Sequence, residues 1–136
     1  MREILFRGRG NTKYNDGEWY YGVPVRGFEG DWQICTYDSK RTVIPETIGQ
    51  YTGLKDKNGT KIFEGDIMLV PYIDPIFKCT WNDTSPYERA IVKYCNGMFY
   101  VGYIESGDKF TLSAMDGYMK IIGNIYDNKL EDFNNG

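Results

Sequence analysis

The dipeptide Asn96-Gly97 constrains the fold of this chain more than any other feature of the sequence. It lies between two runs in which hydrophobic and polar residues alternate, RAIVKYC and MFYVGY. Asn-Gly readily adopts the positive φ angles of a type I′ turn, and a two-residue turn fixes how the flanking strands pair. The sequence therefore predicts a β-hairpin with three opposed pairs next to the turn: Cys95 and Met98, Tyr94 and Phe99, Val92 and Val101.

One face of this hairpin is predicted to line a hydrophobic core. Residues that are opposed across two paired strands project from the same face of the sheet. That face is far more apolar than the face that carries Lys93 and Cys95. The predicted core wall consists of Ala90, Val92, Tyr94, Phe99, Val101 and Tyr103.

The rest of the chain also favours strands and turns over helices. It contains 12 tyrosines, 16% aromatic residues and 16 glycines, and no apolar run has helical periodicity over the length of a helix. Three aromatic or β-branched runs within residues 3–37, separated by glycine-rich turns, predict a β-meander. Pro45 predicts a turn or one helical turn before a short strand around Tyr51. From Phe63 onward, the order of turn, strand, long loop, hairpin, loop and strand predicts a small SH3-like antiparallel barrel.

The length of the chain, 136 residues, suits one core with a smaller part attached rather than two ordinary domains. We expect an N-terminal β-rich region at residues 1–60, packed on a barrel at residues 61–128, and an acidic tail at residues 129–136. The loop at residues 71–88 is longer than most connections, which favours an insertion or an interface over an active site.

The absence of histidine limits the chemistry of the chain. It removes Ser-His-Asp and Cys-His catalysis and the common histidine zinc sites. Carboxylates alone can support some reactions, and Glu64 and Asp66 are the best-placed pair, but Gly65-Asp66 directly before IMLV is typical of a turn into a strand. We therefore expect no enzyme activity, no catalytic residue, no cofactor and no metal ion.

Cysteine usage, hydropathy and charge indicate a cytoplasmic protein. Cys35, Cys79 and Cys95 are an odd number without a C-x-x-C pair, so we expect buried free thiols rather than disulfides. No apolar run approaches the ~18 residues of a membrane span, and the N-terminus lacks the pattern of a signal peptide. The net charge of −3 disfavours a globally basic protein that binds nucleic acid.

A turn-rich stretch in the middle of the chain carries a family resemblance. PETIGQYTGLKDKNGTKIFEGDIMLV, with IIGNIYDN near the C-terminus and MREILFRG at the start, closely resembles the YopX family of phages and prophages of Gram-positive bacteria. The resemblance implies an N-terminal β-rich part, a C-terminal SH3-like barrel and a tendency to self-associate, and it names no reaction. The residues that carry it are Gly49, Gln50, Tyr51, Thr52, Gly53, Asp56, Asn58, Gly59, Glu64, Gly65, Asp66, Gly123 and Asn124.

Most of these residues are expected to serve the scaffold. The glycines and the run at residues 56–59 suit tight turns, and Gly65-Asp66 suits the start of the first barrel strand. Gln50, Tyr51 and Thr52 have side chains beyond that need. They either satisfy buried backbone groups or present a surface to a ligand, and the first role is favoured.

The leading functional hypothesis is a non-catalytic phage accessory protein that binds a host or phage protein and forms a homo-oligomer. Aromatic faces and edge strands of small barrels are good surfaces for protein binding. Since aromatic residues are enriched at such interfaces, we expect Trp19, Tyr20 or Trp32 to contact another chain.

The alternative hypothesis is a small barrel that binds nucleic acid. Such barrels stack bases on aromatic side chains beside basic residues, and Arg2, Arg7 and Arg9 lie close in sequence to several aromatic residues. The negative net charge makes this hypothesis the less favoured of the two.

Overall fold

The computed structural model describes residues 3–71, 87–104, 107–115 and 119–127, and eleven strands account for most of them. Two 3-10 segments, Pro45–Thr47 and Leu112–Met115, are the helical elements of these ranges. The protein is therefore mainly β, as predicted, and of the two alternatives expected at Pro45, a turn or one helical turn, the structure shows one 3-10 turn. The chain separates into two compact units, Met1–Gly53 and Leu54–Gly136.

The first unit is built on an antiparallel meander. Its strands are β1 (Phe6–Arg9), β2 (Trp19–Arg26), β3 (Trp32–Cys35), β4 (Lys40–Thr42) and β5 (Gly49–Lys55), the last of which ends in the second unit. The strand order is β4-β3-β2-β1-β5. The predicted meander is confirmed, with β5 added beside β1 and with β2 in the interior of the sheet.

The pairing of these strands sets which side chains share a face, because successive residues of a strand project to opposite sides. Arg9 is paired with Trp19, Arg7 with Tyr21 and Val23 with Cys35. We call this side the Tyr21 face: Arg7, Arg9, Trp19, Tyr21, Val23 and Cys35. The opposite side, which includes the fully buried Ile34, is the Trp32 face: Tyr20, Pro24, Arg26, Trp32, Ile34 and Arg41.

The second unit contains a five-stranded antiparallel sheet. After β6 (Lys61–Phe63), the hydrogen-bonded neighbour of β5, come β7 (Asp66–Pro71), β8 (Tyr87–Cys95), β9 (Met98–Tyr103), β10 (Lys109–Thr111) and β11 (Lys120–Asn124). The last five form the sheet in the order β10-β9-β8-β7-β11.

The predicted SH3-like barrel is not closed in the described part of the chain. No pairing there joins the two edge strands, β10 and β11. The physical reason is the shortness of β10, which has three residues and leads directly into the 3-10 segment Leu112–Met115. The chain leaves the sheet before it could pair with β11.

The predicted hairpin is confirmed in its turn and its register. Asn96 and Gly97 have φ angles of 52° and 82°, and all three predicted pairs are present. The core wall is confirmed except at one end. Phe99 packs against the core, whereas Tyr94 is half exposed because it lies near the turn, beyond the core, with its ring edge-on to that of Phe99 at 5.0 Å.

The core of the second unit is one continuous cluster. Side chains of the five-stranded sheet meet those of β6 and of the segments that follow β10 and precede β11, and four half-buried residues complete the contacts: Leu54, Phe99, Phe110 and Ile121. The buried members are Ile62, Met68, Val70, Ala90, Val92, Val101, Tyr103, Leu112 and Met119.

Several predictions concern residues outside the described ranges. The residues concerned are Arg2, Cys79, the acidic tail at 129–136 and the interior of the loop at 71–88. The ends of that loop belong to strands, since Pro71 pairs with Tyr87, so the connection is shorter than predicted. The expectation of buried thiols is wrong for Cys95, which is exposed beside the hairpin turn, while Cys35 is half-buried.

We expect Met68→Ala to lower the free energy of unfolding by about 2 to 5 kcal/mol, because it leaves a cavity in a closely packed core. Met68 is 0% exposed, whereas Met98, at 48%, provides the matched control for the same change. Urea unfolding measures both variants. Equal losses in Met68→Ala and Met98→Ala would contradict the placement of the core.

Candidate functional site

The carboxylate of Asp56 joins the turn between β5 and β6 to β11. Its Oδ1 accepts hydrogen bonds from the backbone N–H groups of Asn58 and Thr60, both at 2.9 Å, and its Oδ2 accepts one from Ile121 at 3.1 Å. Gly59 donates its N–H to the Asp56 carbonyl at 2.9 Å. Asp56 is only 7% exposed, so backbone donors replace water around the carboxylate. This acid closes a turn.

Gly65 and Asp66 close the turn between β6 and β7. The buried Asp66 accepts the backbone N–H of Phe63 at 2.8 Å through Oδ2. Gly65 has a φ of 91°, and a Cβ there would lie 2.9 Å from Cε2 of Tyr126, so both the conformation and the space require glycine. Glu64 is half-buried in the same turn. The two carboxylates weighed as a catalytic pair thus lie at a tight turn.

Gly123 and Asn124 lie where β11 ends beside the start of β7. Asn124 is paired with Asp66, and Gly123 follows a shift in the strand register. The Asn124 Oδ1 accepts the backbone N–H groups of Tyr126 and Asp127 at 3.0 and 2.9 Å, which closes an Asx turn. Motif residues that are far apart in sequence are therefore neighbours at this end of the sheet.

The first motif residues lie on β5 in the other unit. Gly49 and Gln50 pair with β1, and Gly53 has a φ of 88°. Tyr51 and Thr52 are buried, and Gln50 is half-buried. Of the two roles expected for these side chains, burial supports an internal role for Tyr51 and Thr52 over a ligand surface.

Arg7 and Arg9, two of the three arginines that the alternative hypothesis assigns to nucleic-acid contacts, lie against Trp19. The guanidinium carbon is 4.6 Å from the centroid of the Trp19 ring for Arg7 and 5.8 Å for Arg9. Arg7 is 7% exposed and Arg9 is half-buried. A base that stacked on Trp19 would compete with these cation–π contacts, and Arg7 offers a phosphate little surface.

The Trp32 face carries a second basic and aromatic set, which sequence reasoning missed. The guanidinium carbon of Arg41 is 5.6 Å from the ring centroid of Tyr20, and that of Arg26 is 5.8 Å from the ring centroid of Trp32. Both arginines are exposed. The signal that could have found one pair is strand register, since the meander places Arg26 opposite Trp32.

A carboxylate moderates the positive charge of this face. The hydroxyl of Tyr20 donates a hydrogen bond to Asp16. That bond, with a second one from the backbone N–H of Glu18, holds the pKa of Asp16 below its ordinary value. The bond to Asp16 also raises the pKa of Tyr20. At neutral pH Asp16 is therefore ionised near Arg41, while Tyr20 stays neutral.

Among the described residues, no group of three Cys, Asp or Glu side chains is placed to hold a metal ion. No helix among them is both long enough and apolar enough to cross a membrane.

Comparison with known proteins identifies the same family as the motif residues do. The family model described as YopX protein matches residues 11–131 of the chain. The match includes the meander and the loop at 71–88, where the sequence alone showed no motif residue, and it begins after the MREILFRG segment. No curated protein matches the sequence.

A solved structure shares the fold. The crystal structure of protein EF1440 from Enterococcus faecalis aligns with a TM-score of 0.54 and 21% sequence identity. The alignment covers 94% of this chain and 96% of that chain. At this level of identity, the likeness concerns the fold alone.

We expect Asp56→Asn to lower the free energy of unfolding by about 1 to 3 kcal/mol. Both oxygens of the carboxylate accept hydrogen bonds from backbone N–H groups, whereas the amide of asparagine has only one acceptor oxygen. The exposed Asp38, in the turn between β3 and β4, provides the matched control for the same change. Thermal unfolding measures both. An unchanged melting temperature in Asp56→Asn would show that the three bonds add nothing to stability.

Proposed function

Because the chain belongs to the YopX family, we propose that it is a non-catalytic accessory protein of a phage or prophage of Gram-positive bacteria, which acts in the host cytoplasm by binding a protein and by self-association. Two observations support a role without catalysis. The chain has no histidine, and the carboxylates of Asp56 and Asp66 accept backbone hydrogen bonds in turns.

The observation that carries the proposal of self-association is an apolar strip on β2. Tyr21 and Val23 are 48% and 51% exposed, and they occupy consecutive positions on the Tyr21 face. Because β2 is an interior strand of its sheet, these side chains lie in the middle of the face rather than at an edge. Large apolar side chains in such a place normally mark an association surface.

The occupant that fits this strip is a second copy of the chain. Two copies related by a twofold axis present the same patch to each other, so Tyr21 and Val23 would meet their own counterparts, which is the commonest arrangement of homodimers. Cys35, opposite Val23, would lie within the same contact. The flanking arginines Arg7 and Arg9 are held by Trp19 and leave the centre of the strip apolar.

The aromatic residues expected at the interface differ from those of the strip. Tyr20 and Trp32 lie on the opposite face of the sheet, beside arginines, and Trp19 lies beside Arg7 and Arg9. All three are half-buried. The exposed neighbour Tyr21 is therefore the better contact for another chain than the three residues expected from the sequence.

We expect Tyr21→Lys to weaken self-association about 100-fold, because it places a charge in the centre of an apolar contact on both copies. The fully exposed Tyr37, in the turn between β3 and β4, is the matched control, and Tyr37→Lys leaves association unchanged. Light scattering over a wide range of concentrations gives the mass. A wild-type mass that stays at 15.8 kDa at the highest concentration refutes self-association.

Nucleic-acid binding is the second candidate function, and the Trp32 face is the observation that favours it. Arg26 and Arg41 are exposed beside the aromatic rings of Trp32 and Tyr20, an arrangement that suits stacked bases and a phosphate backbone. The ionised Asp16 and the net charge of −3 oppose it.

If the protein binds single-stranded nucleic acid, we expect the Arg26→Gln, Arg41→Gln double variant to reduce the slope of log affinity against log salt by about 1 to 2, because each lost phosphate contact removes released counterions. Lys120→Gln, an exposed charge on β11, is the control. Fluorescence anisotropy with labelled oligonucleotides measures the slope. A slope that falls only when Arg2 and Arg9 are neutralised would assign the contact to the N-terminal arginines instead.

A further inference from the structure

The outer face of the second sheet carries a groove of about 420 Å³ across β8, β9 and β10. Its floor is Gly102 of β9, which is paired with Ile91 on one side and with Lys109 on the other. A Cβ at Gly102 would meet no atom within 4 Å. The backbone of the middle strand is therefore accessible to a flat group laid across it.

An aromatic side chain forms one wall of the groove. Tyr100 lies two residues before Gly102 on the same face, and it is paired with Lys93. Its hydroxyl donates a hydrogen bond to the Cys95 carbonyl at 2.9 Å, which fixes the far end of the ring. Ile91 and Ile104 add apolar surface to the lining. Such a wall can pack against the face or the edge of a second ring.

The charge of the groove is opposite in sign to that of the whole chain. Lys93 on β8 and Lys109 on β10 are exposed on the two strands that flank β9. The described lining contains these two lysines and no carboxylate, although the chain has a net charge of −3. Two ammonium groups over a concave surface attract an anion.

We propose that this groove binds a small planar aromatic anion of about the size of a nucleoside monophosphate. The planar body lies on the Gly102 backbone against Tyr100, and the anionic group lies between Lys93 and Lys109. The groove has the volume of an ordinary small-molecule site. The site is independent of the apolar strip on β2, which belongs to the other unit.

The test is a titration of the full chain, labelled with ¹⁵N and observed by NMR, with two planar aromatic anions: adenosine 5′-monophosphate and 3-phenylpropionate. Adenosine supplies the ring without the charge, and inorganic phosphate supplies the charge without the ring. We expect at least one of the aromatic anions to shift the NMR signals of the backbone amides of Gly102 and its neighbours. We expect that anion to bind at least about 10-fold more tightly than adenosine or inorganic phosphate does. Tighter binding of adenosine 5′-monophosphate would indicate a nucleotide as the ligand, and tighter binding of 3-phenylpropionate would indicate an aromatic carboxylate.

Two variants locate the site. Gly102→Leu fills the groove and fits the open space above the strand, so we expect a folded protein with binding weakened about 10-fold or more. The Lys93→Gln, Lys109→Gln double variant weakens binding by a similar factor at low salt and keeps the floor, whereas Lys120→Gln changes nothing.

Three results would overturn the proposal. These are no shift at Gly102 with either aromatic anion, phosphate binding as tight as that of both aromatic anions, and full binding in the folded Gly102→Leu variant. If Gly102→Leu does not fold, the lysine double variant decides in its place.

Discussion

The carboxylate of Asp56 holds together parts of the second unit that are far apart in the sequence. Its bonds to the turn at 56–60 and to Ile121 connect residues separated by 65 positions. The backbone N–H of Lys57 reinforces the connection by donating a hydrogen bond to the Met119 carbonyl at 2.9 Å. As a result β11 is held by β7 on one side and by the turn on the other, and the fully buried Met119 stays in the core. Three of the motif residues of the family, Asp56, Asn58 and Gly59, belong to this closure.

Local interactions made part of the fold predictable. The hairpin at Asn96-Gly97 was predicted to the register because a two-residue turn leaves no freedom in the pairing. The meander followed from runs long enough to show a pattern. Three strands of three residues each, β4, β6 and β10, are too short for any period to appear, and the open sheet depends on one of them, β10. The bond from Asp56 to Ile121 has no local signature either.

The face on which each side chain lies was harder to predict than the position of the strands. A shift of one residue in the strand register moves a side chain to the other face of the sheet. Tyr20 and Tyr21 are adjacent and chemically identical, yet pairing with β1 places only Tyr21 beside Arg7. The alternative hypothesis assigned Arg7 and Arg9 to nucleic acid, and the structure shows that both also lie against Trp19 within the chain. Gly102 was unremarkable in the sequence because a groove depends on its neighbours across two strands.

The position of β11 has a consequence for how the chain folds as it leaves the ribosome. The strands of the first unit pair among residues 6–50, so that unit has its hydrogen-bonded partners early in synthesis. In the second unit, β7 gains β8 soon after, but its other edge receives β11 only after Asn124 has emerged. Until then one edge of β7 and the Asp56 carboxylate lack their native partners on β11, and an unpaired strand edge is the feature that chaperones and aggregating chains recognise.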